Sequence, residues 1–385
     1  MPHKKAIVIG AGIVGLATAR SLAERGYRVT VFERHPQAIS ASVRNFGMIW
    51  PVGQPAGHLY ERAMQSRSIW KSVAREAGLW HEETGSLHLA YTDLELQVVS
   101  EVAALYQQDR KYRLLTPEET LAQSPAVNAN GLKGALWSPD EMIVESRVAI
   151  AALPAYLADQ YGVAFHFNTA ISRIDYPVVM SGRKSWEADE IYVCSGADFE
   201  TLYPEVFAAN HFTKCKLQMM RLAAQPDQWR IGPSLCGALS LIHYSGFKGA
   251  AHLETLKTHF ENTMPDYLEW GIHVMVSQNH AGELTVGDSH EYGLHLEPFD
   301  RPFINDMILQ YLAQFASVKD PSVIQHWNGI YPKRTNGEVD FVYDPEPGVT
   351  IINGLGGAGM TLSFGLAEEV IGQGYRSHRN TAILQ

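Results

Sequence analysis

Three glycines near the N-terminus, in the pattern Gly10-x-Gly12-x-x-Gly15, constrain the fold more than any other feature of this chain. Residues 4–9 form a short apolar run that reads as a buried strand. Over residues 14–25, Val14, Leu16, Ala17, Ala19, Leu22 and Ala23 recur near a 3.6-residue period and stop at Gly26, which predicts a helix. Residues 28–32 predict a second strand that leads into Glu33, 18 residues after Gly15. In that setting the first glycine makes the tight turn, the second lets a pyrophosphate approach the backbone, and the third lets helix and sheet pack closely. The helix N-terminus then faces the phosphates, and Glu33 accepts from the ribose hydroxyls of a bound dinucleotide. A 2′-phosphate would be repelled by Glu33, so NADP is disfavoured.

The glycines are not distributed evenly. The chain has 32 in 385 residues, a small excess, but eight fall within the last 38. The segment Gly354-Leu355-Gly356-Gly357-Ala358-Gly359-Met360-Thr361 repeats the logic of the first turn: strand at 349–353, glycine loop at 354–359, helix at about 360–373. A nicotinamide enzyme has no need to bring its C-terminal region back to the cofactor. A flavin does, because the pyrimidine end of its ring gains negative charge on reduction and is stabilised by a helix N-terminus. The second glycine loop therefore favours FAD over NAD.

The rest of the chain supplies a second domain. Helices are expected at 57–78, 93–112, 146–161, 252–263 and 302–317. Thr116-Pro117-Glu118-Glu119 starts another, with Thr as N-cap, Pro at N1 and Glu at N3. Residues 85–91, 163–167 and 190–194 read as strands, and 214–224, 235–245, 271–278 and 282–287 alternate like antiparallel strands. The expected fold class is α/β plus α+β: a discontinuous Rossmann-type FAD-binding domain (1–84, 145–212 and 325–385) with an antiparallel substrate domain inserted in it (85–144 and 213–324).

Composition narrows function by exclusion. The 31 basic and 41 acidic residues give a net charge of −10, which argues against a nucleic-acid surface. Cys194, Cys215 and Cys236 form no CxxC pair, so neither a disulfide framework nor a thiolate zinc site is expected, and a reducing, cytoplasmic setting fits. The basic start before residues 6–19 imitates a signal sequence, but its glycines and the following Arg20, Glu24 and Arg25 read as strand and helix. No apolar run reaches 18 residues, so no membrane span is expected. Eight of the 16 histidines lie between His211 and His295, yet none falls in HxxxH or HExxH spacing, and no metal site is expected.

Five blocks in order carry a resemblance to the D-amino-acid-oxidase, glycine-oxidase and sarcosine-oxidase family of FAD-dependent oxidoreductases. They are Val8-Ile9-Gly10-Ala11-Gly12-Ile13-Val14-Gly15 with Glu33-Arg34; Ala41-Ser42-Val43-Arg44-Asn45-Phe46-Gly47; Val193-Cys194-Ser195-Gly196-Ala197; Trp327-Asn328-Gly329-Ile330-Tyr331-Pro332; and the loop Gly354–Leu362. The resemblance implies that Ser42, Arg44, Asn45, Phe46 and Gly47 lie under the flavin and along the pyrophosphate. It implies that Ile171 offers backbone to adenine and that Ser195 and Gly196 pass the pyrophosphate. Gly356, Gly357, Gly359, Met360 and Thr361 would cap the pyrimidine end, and Gly354 is a further cofactor-binding candidate. Gly329 stands where sarcosine-oxidase-like members tether flavin through cysteine, implying non-covalent FAD.

The same resemblance exposes departures. Tyr331 and Gly357 stand where glycine-oxidase-like members carry arginines for the substrate carboxylate, and Thr361 where sarcosine-oxidase-like members carry a lysine. An ordinary α-amino acid is therefore in question. Lys333, Arg334 and Arg221 are alternative cations, and His243, Tyr244 and His290 are candidates for an anion pocket over the flavin. The 282–293 stretch looks like a phosphonate-associated branch, and a tetrahedral dianion suits several distributed donors. The expected reaction is oxidation of a small acidic amine, preferably an aminophosphonate or its N-alkyl derivative, with oxygen as acceptor. The alternatives are a glycine, sarcosine or D-amino acid oxidase, a flavin dehydrogenase using another acceptor, or a non-catalytic FAD scaffold. A homo-oligomer is left open.

Overall fold

The computed structural model describes residues 4–372, so the last residue of the helix expected at 360–373 lies outside the described residues. Its organising element is a six-stranded sheet in the order Phe341–Glu346, Val349–Asn353, Glu190–Val193, Lys5–Ile9, Arg28–Phe32, Ala164–His166. All neighbours are parallel except the first pair. Four strands therefore end along one edge, at Gly10, Glu33, Cys194 and Gly354. Outside the carboxyl ends of the strands is where open α/β sheets take ligands. The two glycine loops, whose first glycines Gly10 and Gly354 are 344 residues apart in sequence, are neighbours here because one strand separates theirs in the sheet.

The terminal helix Gly359–Ile371 packs on both Ile13–Glu24 and His58–Glu76. Trp70, fully buried, donates its indole N–H to the Met360 carbonyl at 2.7 Å. Arg62 holds the Glu369 carboxylate at 2.7 and 2.9 Å and also pairs with Asp340. These contacts fix the start of the helix where it meets the cofactor edge.

The second body is a nine-stranded sheet. Its path runs Glu291–Gly293, Phe212–Leu222, Leu284–Gly287, Met275–Gln278, Ser234–Cys236, Ser86–Ala90, Gly134–Ser138, Arg113–Leu115, with Val323–Arg334 also paired to Phe212–Leu222. That last strand crosses position 325, where the sequence suggests a domain boundary. Helix Pro302–Phe315 covers the sheet through Ile304, Ile308, Tyr311, Leu312 and Phe315. The expected mixed α/β and antiparallel architecture is thus observed. Two local expectations change. The helix begun at Asp93 ends at Leu105 rather than 112. Residues 235–245 are not one strand: Ser234–Cys236 is followed by helix Leu239–His243. The Leu239 amide donates to the Tyr311 hydroxyl at 3.1 Å, which holds the chain in that turn.

Glu141 is fully buried where the two bodies meet. It accepts from the Val52 amide and the Ser86 hydroxyl, each at 3.0 Å, and burial pushes its carboxyl up to about 7. A carboxyl raised on folding binds its proton more tightly folded than unfolded, so its stabilisation is present in acid and is lost as pH rises from the unfolded value toward 7. The full loss is at most about 3 kcal/mol. Glu141→Gln is expected to flatten the fall in denaturant midpoint between pH 5 and pH 8, measured by urea unfolding at each pH.

Candidate functional site

Two cavities, of about 400 and 530 Å³, share Gly12, Ala41, Ser42, Arg44, Cys194, Gly196 and Pro332 as walls and form one trough along the cofactor edge. The inner half is lined by Gly10, Glu33, Arg34, Ile171 and Ser195. The outer half is lined by Ile13, Val14, Asn45, Phe46, Gly329, every residue from Gly354 to Thr361, and the substrate candidates Tyr331, Lys333, His243, Tyr244 and His290.

Of the residues expected to bind cofactor, Ala11, Gly15 and Gly47 do not line the trough; they brace it. The Ala11 amide donates to Glu33 Oε2 at 3.0 Å, while Glu33 Oε1 accepts from the His35 amide at 3.0 Å. These bonds hold the carboxylate at the end of its strand and leave it lone pairs for a ribose. A Cβ on Gly15 would sit 1.9 Å from the Gly10 carbonyl oxygen, so only glycine lets the helix lie this close to the turn. Gly10 itself has φ +105°, and its Cβ would meet the Cys194 carbonyl oxygen at 2.4 Å. Ser42 Oγ accepts from the Ile13 amide at 3.0 Å and so caps the helix from across the trough.

The fit to a dinucleotide with a ring system can be tested on unpaired polar groups. Ser195 Oγ, in the inner half, and Trp50 Nε1, in the outer half, are buried without a hydrogen-bond partner among the described residues. Both face a trough bounded by helix N-termini at each end: Ile13–Glu24 at one, Gly359–Ile371 at the other. The first would suit a pyrophosphate, and the second the electron-rich edge of a flavin. The residues present fit FAD.

The substrate wall is built by alternation along Val323–Arg334. Gly329, Tyr331 and Lys333 share the face that opens into the outer cavity. Tyr331 is buried, and burial pushes its hydroxyl well above the usual range. Lys333 Nζ donates to the Tyr292 hydroxyl at 3.0 Å, and burial lowers its ammonium. Arg334 falls on the opposite face. Its guanidinium lies over Phe212 and Phe341 and pairs with Glu338 at 2.6 Å, so it does not line the cavity. Arg221 is also placed elsewhere: it joins Glu145 at 3.1 Å and Glu283 at 2.8 Å in a buried network with Asn279. Burial alone would raise the Glu145 carboxyl, yet Arg221 outweighs it and holds the group below its ordinary value. Both arginines are therefore corrected from substrate ligands to structural pairs. Arg221→Met is expected to lower stability by about 3–5 kcal/mol, since it strands a buried carboxylate. Substrate KM should not change; differential scanning calorimetry with steady-state kinetics checks both.

The sequence reading missed His273 and Asp288, which line the same cavity as His243 and His290. The hairpin Met275–Gln278 and Leu284–Gly287 continues past its last paired strand residues, with the His273 amide donating to the Asp288 carbonyl at 3.3 Å and the reverse bond at 3.1 Å. Helix Leu239–His243 then delivers His243 against them. Ring centres lie 3.8 Å apart for His243 and His273, 4.7 Å for His243 and His290, and 5.0 Å for His273 and His290. Burial, then mutual repulsion, holds His243 and His273 well below the ordinary range, and burial takes His290 down to about 4. The three imidazoles are neutral at neutral pH. No local spacing could have signalled this grouping; only the concentration of histidines in one stretch hints at it.

Among the described residues no helix is long and apolar enough to cross a membrane. The family model for FAD dependent oxidoreductases (DAO) matches residues 5–372. A glycine oxidase of Geobacillus kaustophilus is 26% identical over 211 residues, covering 51% of this chain and 56% of the relative. A D-amino acid dehydrogenase of Neisseria meningitidis is 26% identical over 264 residues, covering 52% of this chain and 63% of the relative. The matches thus span less than two thirds of these relatives' own length. In fold, the crystal structure of glycine oxidase from Bacillus cereus superposes with a TM-score of 0.76 at 16% identity, covering 99% of this chain and 100% of that one.

Proposed function

The chain belongs to the FAD-dependent oxidoreductase family, and from that premise we propose that it oxidises the C–N bond of a small acidic amine, with an aminophosphonate or its N-alkyl derivative as preferred substrate. FAD held by the trough would supply a two-electron acceptor for the α-carbon hydride and would pass the electrons to oxygen as hydrogen peroxide, while water would split the oxidised amine into a carbonyl compound and the released amine.

The observation that carries the substrate reading is the outer cavity itself. Lys333, Tyr331, Tyr244 and the histidine wall line one cavity together with the loop Gly354–Thr361. The chain's own contribution is binding and orientation. Lys333 provides the positive charge, held in place by Tyr292, while Phe46, Leu217, Met219 and Met275 supply apolar walls that exclude water. No bidentate guanidinium faces this wall among the described residues: Arg44, the arginine that lines the cavity, is turned to the carbonyls of Ile39 and Asn328. Distributed single donors suit a tetrahedral dianion better than a planar carboxylate. The glycine-oxidase and D-amino-acid-dehydrogenase names of the relatives support an amine substrate in general. Cys194 lines the trough, but burial raises its thiol to about 12, so it offers no thiolate and supports non-covalent FAD.

A peroxide-coupled screen of amino acids, N-methyl amino acids and aminophosphonates tests the reading. Turnover is expected with acidic amines, greatest for the phosphonates. Peroxide from a neutral amine alone would overturn it. Release of all flavin on acid precipitation checks the mode of attachment.

A further inference from the structure

We propose that His243, His273, His290 and Asp288 form a binding site for a divalent transition-metal ion of the zinc type, set into the wall of the substrate cavity. The inference deepens the substrate reading above and rests on it only for what completes the ion's coordination shell.

Four observations converge. First, each histidine presents one ring nitrogen such that all three lie within 4.8 Å of one another. Second, the tautomer of His290 is fixed. Its Nδ1 lies 2.9 Å from the Gly271 carbonyl oxygen, which accepts and so requires that nitrogen to carry the proton. Nε2 is then a bare lone pair, and it points at Asp288 Oδ2 from 3.7 Å. A proton on Asp288 or a metal ion would relieve the repulsion between these two buried electron-rich atoms, and only the ion would engage His243 and His273 as well. An N–H donated to a backbone carbonyl behind a bare ring nitrogen is also the arrangement that orients metal-binding histidines. Third, both nitrogens of His273 and Oδ1 of Asp288 are buried without a hydrogen-bond partner among the described residues, and His273 Nε2 is 3.4 Å from that oxygen. Fourth, the dimensions fit. Arms of about 2.0–2.1 Å at tetrahedral angles put neighbouring donor atoms about 3.4 Å apart and ring centres about 5 Å apart. The His273–Asp288 contact and the His273–His290 and His243–His290 ring separations match this, while the His243 and His273 rings, 3.8 Å apart, must slide apart to admit the ion.

Imidazoles ligate in their neutral form, and Asp288 carries at most one proton when nothing is bound. Binding therefore releases at most the one proton on Asp288 and transfers no electrons. Nitrogen donors with one carboxylate select zinc, cobalt or nickel over magnesium or calcium. Lys333 lines the same cavity. Together with the ion it would leave a positive balance facing the cavity, and the anionic head group of the substrate supplies the compensating charge.

The test uses the FAD-loaded protein, stripped with a chelator and then given one equivalent of Zn²⁺ or Co²⁺. One ion per chain is expected to survive gel filtration, and Co²⁺ should give the visible bands of a tetrahedral site as a difference against the flavin spectrum. His273→Gln and His290→Gln should each lower ion affinity at least tenfold while flavin content stays constant; Asp288→Asn serves where either variant fails to retain flavin. Failure of the parent protein to take up an ion in stoichiometric amount, or uptake unaffected by these substitutions, overturns the site and leaves the cluster bridged by a proton on Asp288. The two readings separate cleanly. Flavin that an acidic amine still bleaches in a protein unable to bind metal refutes the metal site alone. Metal uptake without bleaching by any acidic amine refutes the substrate reading and leaves the site standing.

Discussion

Gly15→Val is expected to yield protein that purifies without flavin. The added Cβ would lie 1.9 Å from the Gly10 carbonyl oxygen and 3.4 Å from a Val8 methyl. The first neighbour is backbone, at the end of the central strand, and cannot swing away as a side chain can. The helix Ile13–Glu24 must therefore lift off the sheet, taking its N-terminus from the pyrophosphate position. Overpacking of this kind costs about 3 kcal/mol or more in stability. The lost alignment at the helix N-terminus comes in addition. A contrasting variant separates the two effects of adding a Cβ. Gly162 has φ +68° but nothing within 4 Å of where its Cβ would stand. Gly162→Ala should cost only about 1–2 kcal/mol of backbone strain and keep its flavin. The ratio of flavin to protein absorbance and the melting temperature of each variant check both statements.

Lys333→Met should raise the KM for an acidic amine by roughly ten- to a hundredfold, the equivalent of a charged hydrogen bond of about 1.5–3 kcal/mol. A neutral amine of the same size should lose nothing, because methionine fills the volume and keeps the apolar contact. The pH profile carries a second signature. Burial lowers the Lys333 ammonium, so its charge is present in acid and is lost at a lower pH than for an exposed lysine. Affinity for the anion should therefore fall on the alkaline side in the parent protein, and that limb should vanish in Lys333→Met. A KM unchanged for both amines would place the anion elsewhere in the cavity.

What could be read from sequence follows from how local each requirement is. The phosphate turn depends on contacts within about 30 residues, and the Gly10–Gly15 spacing with Glu33 declares it. The capping box at Thr116 is local too: its hydroxyl accepts from the Glu119 amide, and the Glu119 carboxylate accepts from the Thr116 amide. Alternation on Val323–Arg334 also puts Tyr331 and Lys333 on one face and Arg334 on the other, although the sequence alone could not say that the other face meets Phe212. The failures are non-local. Arg221 looks like any strand-borne cation until Glu145, 76 residues away, is seen to neutralise it. Residues 235–245 have the pattern of a strand, but Tyr311 on a distant helix captures the Leu239 amide and a helical turn follows. That turn is what delivers His243 to His273 and His290. The histidine cluster comes from three separate segments, so no short spacing rule could reveal it.

The measurement that bears most directly on the central claim is anaerobic reduction of the bound flavin. The yellow protein is mixed, without oxygen, with a matched pair of amines that differ only in carrying a phosphonate or a hydrogen at the far carbon. The account predicts rapid bleaching by the phosphonate, recovery of the yellow colour on admitting air with one peroxide formed per flavin, and little change with the neutral amine. Bleaching of equal rate and affinity by both, or by neither, would contradict it.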